Sequence, residues 1–352
     1  MTGIGKISRV DDAEVYAVTD ESVRRVAAVQ LQAVLGDVDA NLERAERGVA
    51  EGAREGARWI VLPEFFTSGV AFLPEVAAAA QPIEGPAVCA MRDWATERDV
   101  VVTGSLLLRG PDGEVRNAQL VVDASGIVAR HDKDLPTMWE NSLYIGGSDD
   151  GVADVEGVPV GLAMCWELTR RRTVARMAGR VDIVLAGSGW WSVPRWWPRP
   201  LFDRWERENA ARAAHTPAAF ARYIGAPVVH AAHSGTLSCP LPWLPVGYRG
   251  RYEPTTGIWA ANGAPLARSV SPDAQVVVAD VPLGRVPPVP APDRYWLTRP
   301  GPMPAFAWHQ QRWHGRRWYA RHQSQAHGHQ GRAPAHGHGH QAHGHEGHTL
   351  GR

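Results

Sequence analysis

The chain has 352 residues, 44% of them apolar and 21% charged, with a formal net charge of zero. This is the composition of a globular protein with a substantial core, and the charge balance gives no reason to expect nucleic acid or an anionic membrane as a partner. No run of eighteen apolar residues occurs, so no membrane-spanning helix is expected.

Residues 1–22 form a polar N-terminal extension. With Asp11, Asp12, Glu14, Asp20 and Glu21 they do not read as a secretory leader, and a cytoplasmic location is expected. VRRVAAVQLQA (23–33) reads as a buried strand. Leu42, Ala45, Val49 and Ala53 recur at helical spacing over 37–57, with Asp37 as N-cap. RWIVLP (58–63) is a second strand, ending directly before Glu64. A helix over 86–98 leads to a strand at 100–108. A hairpin follows, from 117–123 through a turn at Ala124-Ser125-Gly126 into IVARH, and it ends beside Lys133. VPVGLAM (158–164) precedes Cys165, a short helix begins near 169, and VDIVLAG (181–187) is another strand. A long helix over 200–224 and strands at 228–233, 256–260 and 274–280 complete a domain spanning 23–285. Strands interleaved with helices and hairpins predict a layered, mixed α/β architecture.

Beyond it the chain is proline-rich, then aromatic and basic (286–325), and finally dominated by histidine and glycine (326–352). The proline cluster suits a linker or a surface strap, because proline cannot join a helix interior or a sheet ladder. Eleven of the fifteen histidines lie between His309 and His348. The histidine-rich tail is expected to be disordered. Its imidazoles at His336, His338, His340, His343 and His345 are candidate ligands for nickel, copper or zinc.

Glu64, Lys133 and Cys165 each follow a predicted strand, where loops present functional groups from a rigid support. The lysine stands out because the 37 basic residues include only one other, Lys6. A compact ammonium does what a planar guanidinium cannot. A cysteine ahead of a helix is expected to feel the positive end of the helix dipole, which favours the thiolate. A carboxylate within reach would accept the thiol proton. Singly each residue has an ordinary structural reading, and Cys89, Cys165 and Cys239 form neither a disulfide framework nor a metal pair. The RRRTVAR segment (170–176) reads as a solvated helix face.

Taken together, LPEFFTSG, KDLPTMWE and MCWEL resemble the nitrilase superfamily of carbon–nitrogen hydrolases. So do the opening strand with Gly36-Asp37 and Asn41, and spacings of about seventy and about thirty residues between the three groups. The resemblance implies a four-layer α-β-β-α sandwich over roughly 23–281. It further implies Glu64 as general base, Lys133 as stabiliser or proton donor, Cys165 as nucleophile and Glu140 as an orienting second glutamate. The implied reaction hydrolyses a small nitrile or amide through a thioester, without a cofactor, in a homodimer or larger homo-oligomer. KxxPTxxE and CWE look closest to the nitrilase branch, whereas GSGWWSVPRWWPRP (187–200) does not. Glu167 reads as holding the turn after the nucleophile. Trp139, Trp166, Trp190 and Trp191 are expected to wall a substrate pocket; Trp190, Trp191, Trp196 and Trp197 serve equally well at a dimer interface. Three alternatives stand beside this reading: an amidase or N-carbamoyl amidohydrolase, a metal-sequestering protein on an inactive hydrolase-like domain, and a non-enzymatic assembly subunit.

Overall fold

The structure, a computed structural model, describes residues 23–241, 244 and 246–330, with side chains through residue 322. The first half of the chain builds β1 (Val23–Gln30), α1 (Val38–Arg54), β2 (Trp59–Val61), α2 (Pro74–Ala78) and α3 (Pro86–Arg98), then β3 (Val101–Arg109), β4 (Val115–Asp123) and β5 (Gly126–Asp132). The second half contributes β6 (Val152–Val155), β7 (Val158–Met164), α4 (Arg171–Met177), β8 (Ile183–Ser188), α5 (Arg199–Ile224) and β9 (Val228–Ala232). After them come the hairpin β10 (Thr236–Pro240) and β11 (Gly247–Arg251), then β12 (Gly257–Trp259), β13 (Pro265–Arg268), β14 (Gln275–Pro282) and α6 (Pro302–Gln330).

Two six-stranded sheets result, in the orders β14-β1-β2-β3-β4-β5 and β13-β12-β9-β8-β7-β6. In each, three central strands run parallel and the outer ones antiparallel. Alternation along β1 shows why the sheets stack. Val26 and Ala28 join Trp59, Val101, Val160, Leu162 and Ile183 in the core between the sheets. Ala27 and Val29 turn the other way, against Ala45 and Val49 of α1. The second sheet covers its outer face with Phe220, Ala221 and Ile224 of α5. The layers are therefore helix, sheet, sheet, helix, the sandwich expected. A strand buried on both faces reads as an unbroken apolar run, which is how VAAVQ and IVLAG look in the sequence. Each buried valine or leucine in these layers contributes about 1.5–3 kcal/mol.

Local signals act where expected. Asp37 caps α1, its carboxylate accepting from Ala40 N at 3.0 Å. Beyond β14, residues 284–300 form a strap: Val286 N and Val289 N donate to Gly225 O and Arg222 O behind α5, and Leu297 N donates to Thr169 O. Helix α6 then returns across the molecule, past the expected tail boundary at 326. The remainder of the tail, 331–352, and the N-terminal extension lie outside the described residues. Among the described residues no helix is long and apolar enough to cross a membrane.

Candidate active site

The two sheets deliver the candidate groups from different sides. Glu64 follows β2 and Lys133 follows β5, both in the first sheet, whereas Cys165 follows β7 in the second. All three are buried. Glu64 is held from several directions: Oε1 accepts from Lys133 Nζ at 2.7 Å and from Asn117 Nδ2 at 2.9 Å, and Oε2 accepts from Gly189 N at 3.0 Å. His233 Nε2 bonds the main-chain oxygen of Glu64 at 2.8 Å. The second sheet comes this close because residue 187 is glycine; a Cβ there would lie 2.7 Å from Glu64 N.

The Lys133 ammonium also donates to Glu140 Oε2 at 2.8 Å. Glu140 sits in a buried 3₁₀ turn, Met138–Ser142, and the same oxygen accepts from Thr137 N and from the Tyr144 hydroxyl. The ammonium is thus locked between two carboxylates in a fully buried site. One cation cannot balance both, so the cluster carries an excess negative charge when everything is ionised. Burial, with Glu140 adding to it and Lys133 opposing it, pushes the Glu64 carboxyl up to about 7. Lys133 is held charged well above its ordinary value: burial disfavours the cation, but Glu140 and Glu64 together outweigh it.

Cys165 opens a second 3₁₀ turn, Cys165–Thr169, and has φ of +49°. Such a backbone is costly for a residue with a Cβ and persists only where surroundings enforce it. Here the enforcing group is Glu167. Its Oε2 accepts from Met164 N at 2.9 Å and its Oε1 from Asp134 N at 3.1 Å, tying the cysteine turn to the loop that carries Lys133. This is the turn-holding part read for Glu167 in the sequence, extended to a second loop.

Two expectations are corrected. The thiolate is not the resting form: burial and the adjacent Glu64 carboxylate raise the Cys165 thiol well above its ordinary value, against the pull of Lys133. The following α-helix begins only at Arg171, separated from the sulfur-bearing residue by the 3₁₀ turn that Cys165 opens. And 170–176 is a solvated face only in part. Arg170 is fully buried against Asp134, and Arg176 reaches Asp134 and Glu167 at 3.5 Å. Arg171, Arg172 and Ala175 of that run form its exposed side.

Cys165 lies at the wall of a cavity of about 100 Å³. Trp139, Trp166, Trp190 and Trp191 all line it, together with Trp196, Tyr248 and, from α6, Met303, Phe306 and Ala307. Trp139 stacks on Trp191 with centroids 4.2 Å apart. Trp197 is 85% exposed and takes no part. Asn117, Tyr144 and Gly189 were not read from the sequence as site residues, and nothing local marks them. Among the described residues no group of three His, Cys, Asp or Glu is placed to hold a metal ion. The candidate ligands His336, His338, His340, His343 and His345 lie outside the described residues.

Sequence and fold comparisons place the chain in a family. The model of the family described as carbon-nitrogen hydrolase matches residues 25–291, and the chain belongs to that family. It is 32% identical over 160 residues to an aliphatic nitrilase of Rhodococcus rhodochrous, covering 41% of this chain and 43% of that protein. A cyanide hydratase of Armillaria gallica is 27% identical over 185 residues, covering 47% and 51%. The omega-amidase YafV of Yersinia enterocolitica is 30% identical over 161 residues, covering 45% and 58%. The chain thus spans about half the length of the curated relatives it matches. The fold is shared with an amidase from Nesterenkonia sp. AN1, solved with acrylamide added to its active-site cysteine. The TM-score is 0.58 at 19% identity, covering 74% of this chain and 93% of that one.

Proposed function

We propose that the chain hydrolyses the carbon–nitrogen bond of a small, uncharged nitrile or amide, with Cys165 as nucleophile, Glu64 as base, Lys133 as charge stabiliser and Glu140 holding Lys133. The observation that carries this reading is the hydrogen-bonded Glu64–Lys133–Glu140 cluster set against a buried cysteine in a strained turn at the wall of an aromatic cavity.

Chemistry follows from the charges. Glu64, poised near 7, accepts the thiol proton as Sγ attacks the substrate carbon, so the unfavourable thiolate never has to accumulate. An amide forms a tetrahedral adduct whose oxyanion is stabilised by the ammonium of Lys133. Glu64 returns the proton to nitrogen, ammonia leaves and a thioester remains. A nitrile reaches the same thioester through a thioimidate that adds water before losing ammonia. Glu64 then takes a proton from a second water, which attacks the thioester and releases the acid and the thiol.

Among the described residues, no Lys, Arg, His, Asp or Glu lines the cavity. An N-carbamoyl amino acid or a dicarboxylate monoamide would bury its free carboxylate there without a charged partner, which is unfavourable. Uncharged substrates are therefore preferred over those of a carbamoyl hydrolase. The test is ammonia release from a panel of neutral nitriles and amides by wild type and by Cys165→Ala. Release by wild type alone is expected; equal release by both proteins, or none from any neutral or acidic substrate, would sink the proposal.

A further inference from the structure

Helix α6 lies beyond residue 291, where the family match ends. It is nonetheless built into the site. Its buried positions, Pro304, Trp308, Gln311, Gly315 and Tyr319, follow one another at steps of three and four, a single stripe along the helix. The far end of the stripe is anchored on the first sheet: Tyr319 OH accepts from Val115 N at 2.8 Å and donates to Glu114 at 2.7 Å. Midway, Gly315 lies against the turn that carries Glu140, so close that a Cβ would be 2.7 Å from that of Asn141.

The near end reaches the cavity. Trp308 packs parallel to Trp166, 7° apart with centroids at 5.5 Å, and Trp296 of the strap stands edge-on to both. Trp166 is the residue after Cys165, so α6 is in register with the nucleophile through one ring contact. On the same side, Met303, Phe306 and Ala307 line the cavity, Phe306 at its exposed rim.

We infer that this face of α6 is the specificity wall of the enzyme, and that it selects a flat, uncharged aryl or arylalkyl group on the substrate. The rings of the cavity offer such a group edge and face contacts, each worth more than area alone. Alkyl nitriles and amides of two or three carbons leave those faces uncovered. The inference rests on the reading of Cys165 as nucleophile and adds to it the side of the pocket that chooses the substrate.

Ala307→Trp, made in the full chain, fills the cavity from α6 without touching the Glu64–Lys133–Glu140 cluster. For wild type, higher kcat/KM on benzamide and benzonitrile than on acetamide and acetonitrile is expected. In Ala307→Trp, the ratio of kcat/KM for the benzo compounds to that for the acetyl compounds should fall about tenfold or more, mainly through KM of the benzo compounds. A variant that treats both pairs alike, or a wild type that prefers the acetyl pair, overturns the wall. A second readout needs no turnover: calorimetric binding of benzamide to Cys165→Ala should be lost in Cys165→Ala/Ala307→Trp. Binding that is absent from the first, or unchanged in the second, also overturns it. Benzamide binding that depends on residue 307 in a chain releasing no ammonia would leave the wall standing and remove the reaction; hydrolysis indifferent to residue 307 would do the reverse.

Discussion

At the scale of single residues, the cluster makes activity and stability respond to pH in opposite directions. Glu64 titrates at about 7 in the fold, above an ordinary value of 4.5. Its contribution to stability is complete below 4.5 and is lost as pH rises through about 7. In the proposed mechanism the ionised form is the catalytic one, so kcat/KM should fall about tenfold per pH unit below 7. Glu64→Gln should remove activity while raising stability at pH 8 by something on the order of 2 kcal/mol, measured by urea unfolding. A variant whose stability keeps the wild-type pH dependence would show that Glu64 is not the group titrating.

Lys133 makes a second prediction. Its ammonium has two carboxylates within 2.8 Å and no exposed surface. A guanidinium is wider and planar and cannot stand between them in the same space. Lys133→Arg should lower kcat by about a hundredfold or more, and near-normal turnover of benzamide would refute it. The lysine was legible because the chain otherwise writes arginine. Asn117 and Tyr144 were not, since an asparagine in a strand and a tyrosine in a loop acquire their partners only when distant segments meet. The protonation of Cys165 was misread for the same reason: burial and a neighbouring carboxylate, neither of them local, set it.

At the scale of elements, strands and their ends carried most of the information. Apolar runs bounded by turn residues located the strands of the parallel centre, and the three candidate groups fell at strand ends because loops there face a common edge. Short edge strands β6 and β13 and the hairpin β10–β11 went unread; they are brief, and their burial depends on neighbours. Helix α6 was missed for a clearer reason. Its docking stripe includes Gln311 and Gly315, whereas Phe306 and Trp313 stand exposed, so apolarity does not trace the face that packs. Gly315 is the sharpest test of that docking. Gly315→Val must push α6 off the Met138–Ser142 turn, since even the first added carbon meets Asn141 at 2.7 Å and its main-chain carbon at 3.0 Å. Overpacking of this kind costs about 1–3 kcal/mol. It should lower the melting temperature and raise KM for aryl substrates together; a change in neither would mean that α6 does not sit on this turn.

At the scale of the whole molecule, the site exists only if two sheets hold a fixed register, because Lys133 and Cys165 belong to different ones. The link is a buried charge network under both loops. His131, at the end of β5, bonds Glu167 at 3.0 Å and also Asp149, and Glu167 bonds the main chain on either side of the divide. Burial disfavours the imidazolium, but the two carboxylates outweigh it and raise His131 to about 10. Glu167 is held well below its ordinary value, its burial outweighed by His131 and Arg170. The signs follow from those shifts. The His131 contribution is complete below 6.5 and is lost as pH rises through about 10; that of Glu167 is complete above 4.5 and is lost as pH falls below it. The two overlap between 4.5 and 6.5, where stability from this network is greatest. Glu167→Gln leaves His131 and Arg176 with a neutral partner at the centre of the network, and breaking a buried pair costs about 3–5 kcal/mol. Because the amide can still accept one of the two main-chain hydrogen bonds, the variant should fold, with a lower urea midpoint and a flatter pH dependence between 7 and 10. Its kcat should fall by more than its KM rises, since the cavity is intact while the distance between ammonium and sulfur is no longer fixed. A Glu167→Gln protein with unchanged kcat would mean that sheet packing alone sets that distance.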